Sequence, residues 1–221
     1  MNHANSPDSP IFNLPFVASQ EDRGQVYASI YKAFADGRTL DILEIGVFRG
    51  GIIRSIFANC PEIVKTYTGV DPYLGNPDDP YFNAYWKGSA DVAEKQYVDS
   101  EALFAERGAT LVRKTSDQFF AEPGESFDLI LVDGDHRFAP ALRDLTNALT
   151  RLRPGGLLVC DDYGNSDSPD VTRAVVRFCA RAGDFYDASG YRPIWFENAG
   201  KPAPIQLSII FWRKKLVDPA A

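Results

Sequence analysis

Acidic residues in this sequence recur at one kind of place, the end of an apolar run. FDLILV is followed by Asp133, Gly134, Asp135 and His136, and LLVC by Asp161 and Asp162. Earlier in the chain, LEIG carries Glu44 ahead of Gly46 and Gly50, TYTGV is followed by Asp71, and TLVRK by Ser116 and Asp117. Carboxylates seldom stand near a protein interior without a partner, and adjacent ones repel. Gly46 and Gly50 let backbone come close to a ligand. Glu44 disfavours a pyrophosphate at that turn and suits a ligand with positive charge. Asp71 can accept two hydrogen bonds from a ribose diol, although a turn-forming Asp-Pro is the plainer account. Ser116 and Asp117 could meet an adenine amino group, or Ser116 could cap the helix that begins DQFFAE.

The elements that must position these residues follow from periodicity. EDRGQVYASIYKAFADG places Val26, Ile30 and Phe34 at helical spacing, and Asp36-Gly37 stops that helix. TLDILEIG and TYTGVD are β-like. GGIIRSIFANC puts Ile52, Ile53, Ile56 and Phe57 on one helical face, and a further helix runs from about Ala90 to Glu106. TLVRK, FDLILVD and LLVCD are strands. FAPALRDLTNALTRLRPGG is a helix with Pro140 in its first turn and Arg151 and Arg153 towards its end, and PGG terminates it. DVTRAVVRFCARAG is another helix, and IQLSIIFWRKK a last strand. Strands alternating with helices predict a doubly wound α/β fold with a mostly parallel sheet, and unbroken apolar runs predict strands covered on both faces. Ligands of such sheets bind outside the carboxyl ends of the strands. That is the edge to which the first five strands each deliver an acid.

Composition narrows the classes further. The chain has 221 residues, 45% of them hydrophobic, enough for one substantial core. No polar linker divides it. The expected organisation is a frayed tail over 1–19 and one domain over 20–215, with a lid-like insertion near 74–90 rich in Pro, Asp and aromatics. A net charge of -7 argues against a nucleic-acid partner, and no apolar stretch is long enough for a membrane span. Cys60, Cys160 and Cys179 are scattered, with no zinc or redox spacing. Cys160 reads as a small core residue, and a reduced cytoplasmic setting is the simplest. The turn GVFRGG is neither Gly-x-Gly-x-x-Gly nor a phosphate loop ending in Gly-Lys-Ser/Thr, which weighs against a nicotinamide or nucleotide-sugar enzyme.

The ordered set LEIG with Gly50, GVDPY, DLILVDGDH and RLRPGGLLVCDDY resembles the class I S-adenosylmethionine-dependent methyltransferases. Within them it is similar to the small-molecule O-methyltransferases of the catechol, caffeoyl-CoA and macrolide-sugar kinds. The likeness runs from about Leu40 to Gly164. It implies a Rossmann-like sheet of seven strands and a cofactor, S-adenosylmethionine, reached by Glu44, Gly46, Gly50, Asp71, Ser116, Asp117 and Asp133. In the metal-dependent branch the matching positions, Asp133, Asp161 and Asp162, hold a divalent cation, expected here to be Mg²⁺. The alternative is that Asp161 and Asp162 cap a turn and that Asp133 or Asp135 caps the next helix. The caffeoyl-CoA branch has a lysine where this chain has His136. An imidazole there could serve as the base that takes the acceptor's proton, beside Asp133, or could order the loop before Pro140.

The sequence thus reads as an enzyme that moves a methyl group to a hydroxyl of a small-molecule acceptor, a phenol, sugar or natural product, with Mg²⁺ assistance. Tyr73, Tyr81, Tyr85 and Trp86 could cover the acceptor or merely pack within their loop. The alternative is a non-catalytic S-adenosylmethionine-binding sensor or partner subunit. Self-association into a homo-oligomer is compatible with either reading.

Overall fold

The computed structural model describes residues 17–19, 23–74, 90–165, 167–182, 192–197 and 206–212. Among these residues eight strands form one sheet: β1 (Val17–Ser19), β2 (Leu40–Ile45), β3 (Val64–Val70), β4 (Thr110–Val112), β5 (Phe127–Val132), β6 (Leu152–Tyr163), β7 (Arg192–Glu197) and β8 (Gln206–Trp212). Their order is β1-β7-β8-β6-β5-β2-β3-β4. The strands β4-β3-β2-β5-β6 are parallel throughout, while β8 runs antiparallel to both β6 and β7. The expected architecture is present, but the count differs from the seven strands anticipated. The addition is β1, three residues paired with β7 inside the segment read as a frayed tail.

Among the described residues six α-helices flank the sheet: α1 (Arg23–Ala35), α2 (Gly51–Asn59), α3 (Ala90–Glu106), α4 (Ser116–Ala121), α5 (Phe138–Arg151) and α6 (Pro169–Ala182). Strand alternation sends Leu40, Ile42, Leu129, Leu131, Leu157 and Val159 to one face, where they meet α1, α2 and α3. Leu43, Ile45, Ile130, Val132, Leu158 and Cys160 go to the other, against α5 and α6. Both faces are therefore dry, which is why β2 is buried along its whole length. The direction of winding reverses between β2 and β5, the switch point outside whose strand ends such sheets have their ligand crevice.

Some boundaries moved for local reasons. The helix α5 ends at Arg151, and β6 begins at once rather than after PGG. The register between β5 and β6 jumps from Phe127↔Leu152 to Leu129↔Leu157, so residues 153–156 are accommodated as an irregularity, with Gly155 at φ 75°. TLVRK yields a strand of only three residues. Residues 75–89, with Tyr81, Tyr85 and Trp86, lie outside the described residues, as do His3 and most of 183–205.

Candidate active site

The turn after β2 is built around Asp71. One of its carboxylate oxygens accepts the backbone N–H groups of Val47 (3.0 Å) and Phe48 (2.9 Å), and the other accepts that of Tyr73 (2.8 Å). Asp71 therefore ties the glycine turn to the end of β3. It is 6% exposed. Burial raises its pKa, against the three N–H donors that lower it, and Asp133 pushes further upward. Of the two readings of this carboxylate, a ribose contact and a turn-former, the structure shows it fixing the shape of the turn. Gly46, at φ 88°, is obligatory there, because a Cβ would stand 1.9 Å from the carbonyl oxygen of Asp133. Gly50, at φ 68°, precedes the first residue of α2.

Glu44 lies within β2 and is 1% exposed. It faces the α1 side and accepts a 2.7 Å hydrogen bond from the Tyr67 hydroxyl. Burial drives its pKa well up; the Tyr67 hydroxyl opposes this, and Asp133 and Asp71 reinforce it. Burial thus favours the neutral form of Glu44. A cationic group arriving nearby would favour its ionisation.

Just after β5 and in the last residues of β6, Asp133, His136 and Asp162 each offer a ligating atom, and these atoms lie within 4.8 Å of one another. His136 Nε2 is 2.9 Å from Asp162 Oδ2 and 3.8 Å from Asp133 Oδ1. Burial alone would lower the imidazole pKa, but the two carboxylates win and raise it to about 10. Burial raises the pKa of Asp133, partly offset by His136 and Arg23. Asp162 is lowered despite burial, because His136, Arg23 and Asn165 hold its charged form.

Asp161 is not in that group. Its Oδ1 accepts the backbone N–H of Asp162 (2.8 Å), and its Oδ2 forms an ion pair with the Arg23 guanidinium of α1. Of the expected trio Asp133, Asp161 and Asp162, the structure gathers Asp133 and Asp162 with His136, while Asp161 pairs with Arg23. Consecutive residues of a strand point to opposite faces. Asp161 goes to the α1 side, while the left-handed backbone of Asp162 (φ 60°) turns its side chain to His136. The capping alternative is met in part by Asp135, which accepts the N–H of Arg137 (2.9 Å) and pairs with its guanidinium. The start of α5 is closed instead by Asp170, which accepts the N–H of Phe138 (3.2 Å).

At the start of α4 the cap is Thr115, in a reciprocal box with Gln118, and not Ser116. Ser116 donates to Asp144 (2.5 Å), a residue of α5 that is 2% exposed and whose pKa burial raises to about 7. Asp117 stands outside in an exposed pair with Arg143. Tyr73 is buried and its ring packs edge-on against Tyr97 of α3, so it belongs to the core rather than to a cover.

Backbone strain marks the same edge independently of charge. Among the described residues four non-glycine residues have positive φ, and three of them, Phe48, Tyr73 and Asp162, lie at or just after the ends of strands on this edge. Aromatic residues adopt that conformation only where the surroundings enforce it. Sequence reasoning missed Arg23, Asn165 and Asp144. A signal for the first was present, since Arg23, Tyr27 and Tyr31 recur every four residues and share a helical face.

A doubly wound sheet whose switch point joins a glycine turn to a carboxylate and imidazole cluster is a scaffold of the kind that binds ligands at that edge. A family model described as a methyltransferase domain matches residues 43–163, from the middle of β2 to the end of β6. The chain belongs to this methyltransferase-domain family. It is also 28% identical over 169 residues to an uncharacterized protein of Acanthamoeba polyphaga mimivirus, covering 73% of this chain and 67% of that one. Among solved structures, it is similar to an inferred O-methyltransferase of Klebsiella pneumoniae (TM-score 0.60, 19% identity, 96% of this chain and 93% of that one). It is similar to the N-methyltransferase NodS of Bradyrhizobium japonicum bound to S-adenosyl-L-homocysteine (0.58, 15%, 95% and 94%). It is likewise similar to the O-methyltransferase NovP (0.56, 16%, 88% and 80%). At these identities the likeness is one of fold.

Proposed function

We propose that this protein transfers a methyl group from S-adenosylmethionine to a hydroxyl of a small molecule, assisted by a divalent cation such as Mg²⁺. The observation that carries this reading is the gathering of Asp133, His136 and Asp162 beside the glycine turn at the switch point. The sulfonium donor suits an edge rich in carboxylates. The turn at Gly46 and Gly50, held by Asp71, would receive its amino-acid end near Glu44, and the segment at Ser116 and Asp117 would lie towards its adenine. The protein's main contribution to rate would be to hold donor and acceptor in line.

The donor set fits a divalent ion. Asp133 and Asp162 would hold it, and they crowd like charges that a cation relieves. Such an ion would supply a Lewis acid that lowers the pKa of the acceptor hydroxyl. His136 lies where a proton could be taken, but Asp133 and Asp162 raise its pKa to about 10 and so favour its protonated form. It becomes a base only when something other than its own proton balances Asp133 and Asp162. The three side chains act as one unit, and the proton's destination is set by the charge of the whole cluster. Among the described residues no helix is long and apolar enough to cross a membrane. The three free cysteines suit a reduced cytoplasmic setting.

Calorimetry with S-adenosylhomocysteine tests the donor reading, and wild-type protein that binds none of it removes that reading. Asp71→Ala should weaken this binding and also cost roughly 1.5–3 kcal/mol of stability, because a charged acceptor of three N–H groups is lost. Turnover on hydroxylated acceptors should disappear on chelation and return with Mg²⁺. A full rate in a metal-stripped sample contradicts the cation's role. Cofactor binding without turnover on any acceptor points instead to a sensor or partner subunit.

A further inference from the structure

We propose that Arg23 is the resident counter-cation of the acid cluster: by pairing with Asp161 it occupies that carboxylate, and a divalent ion must bind against its charge. The inference rests on the reading of the cluster as a cation site.

The Asp161 side chain is fully buried and both its oxygens are engaged, one by the N–H of Asp162 and the other by Arg23. A carboxylate in that position requires a positive partner. Here the partner comes from the first residue of α1, across the sheet face, and not from solvent. Tyr27, four residues on and therefore on the same helical face, presents its ring 6.0 Å from the guanidinium. The same guanidinium lies in the field of Asp133 and Asp162, which raise its pKa against the lowering effect of burial. One fixed positive charge is therefore distributed over three carboxylates, two of which belong to the group able to ligate an ion.

A guanidinium and a divalent cation are alternatives for that field. If both are present they repel; if the ion displaces Arg23, Asp161 becomes free to join Asp133 and Asp162. Either route predicts the same sign: removing the arginine tightens ion binding. An arginine with a purely structural role would not produce a gain. Neighbouring unit charges move ionisation equilibria by one to three powers of ten, and an effect of similar size is expected here.

The test is calorimetric titration of Mn²⁺ alone, without cofactor or acceptor, into the wild type, Arg23→Gln and Arg23→Lys. The glutamine variant should bind roughly 10- to 100-fold more tightly than the wild type, and the lysine variant, which keeps the charge, should stay near it. Binding that is measurable, abolished by Asp162→Asn, and equal or weaker in Arg23→Gln overturns the role of Arg23 and leaves the cation site standing. No binding by any variant removes the cation site, and this proposal with it. If Arg23→Gln does not fold, Arg23→Met, which keeps the apolar stem, takes its place with the same expected gain.

Discussion

The two ends of the sheet both carry carboxylates, and they are treated in opposite ways. At the amino end, Asp41 of β2 and Asp128 of β5 share Arg153, whose Nη1 is 2.7 Å from an oxygen of each. Lys65 (3.1 Å) and the Thr66 hydroxyl (2.8 Å) complete the shell of Asp41, and Asp128 accepts its N–H (2.9 Å). Burial would raise the Asp41 pKa, but these donors outweigh it and hold it low. At the carboxyl end, Asp133, Asp162, Asp71 and Glu44 crowd one crevice. Arg23 and His136 supply charge there, and the pKa values of Asp133, Asp71 and Glu44 are raised. Acids matched locally by cations form a clasp. Acids gathered in excess of their cations store an attraction for something that is not part of the chain. Perturbed groups in a crevice are the usual sign of a working site.

Substitutions should separate the two ends. The largest effect is expected at the crevice: His136→Ala should cut turnover by ~10²–10⁴-fold while the protein stays folded, if the imidazole belongs to the unit that takes the proton. Steady-state rates measured beside a circular dichroism melt decide this, and equal rates would reduce His136 to a loop-ordering role. Next, Arg153→Ala should cost about 1–2 kcal/mol of stability, a value kept small because the side chain is 37% exposed, and should leave the rate per folded molecule unchanged. A fall in rate without a fall in melting temperature would erase the distinction between the ends.

The pH dependence should also have opposite sign at the two ends. The pKa of Asp41 is depressed on folding, so its contribution is present above about pH 4 and is lost as pH falls through its lower folded value. The pKa of His136 is raised on folding. Its contribution is complete below about pH 6.5 and fades as pH rises towards about 10. Melting temperatures from pH 6 to 10 should therefore decline in the wild type and be flatter in His136→Gln, whereas Arg153→Ala should keep the alkaline slope. The smallest effect belongs to Asp117→Ala. Its pair with Arg143 is more than half exposed on both sides, and less than about 0.5 kcal/mol should be lost.

The elements were legible because apolar runs and helical spacing are local. The helix expected over Ala90–Glu106 ends where the structure ends it, and FDLILV is a strand as read. The edge acids were legible too, because a parallel sheet brings the ends of its strands together. Their partners were not. Asp161 and Asp162 look equivalent in sequence, yet one meets Arg23, far away in the chain, and the other His136. What separates them is strand alternation followed by a single left-handed residue. Asp71 looked available to a ligand because nothing local reveals that three N–H groups converge on it. Asp144 was hidden among the apolar positions of an amphipathic helix, where the pattern predicts leucine and does not predict a buried acid.

Gly46 lies against the backbone of Asp133 with no room for one more carbon atom. The loop proposed to hold the methyl donor and the loop proposed to receive the acceptor's proton are therefore spaced by an absent methyl group. Transfer between bound molecules demands reacting atoms within roughly 3–3.5 Å, so under the proposed function that gap would work as a gauge block, setting one dimension of the reaction chamber. Side chains elsewhere around the crevice can be exchanged to alter which acceptor fits. This dimension is fixed in the main chain, and altering it would move both loops at once.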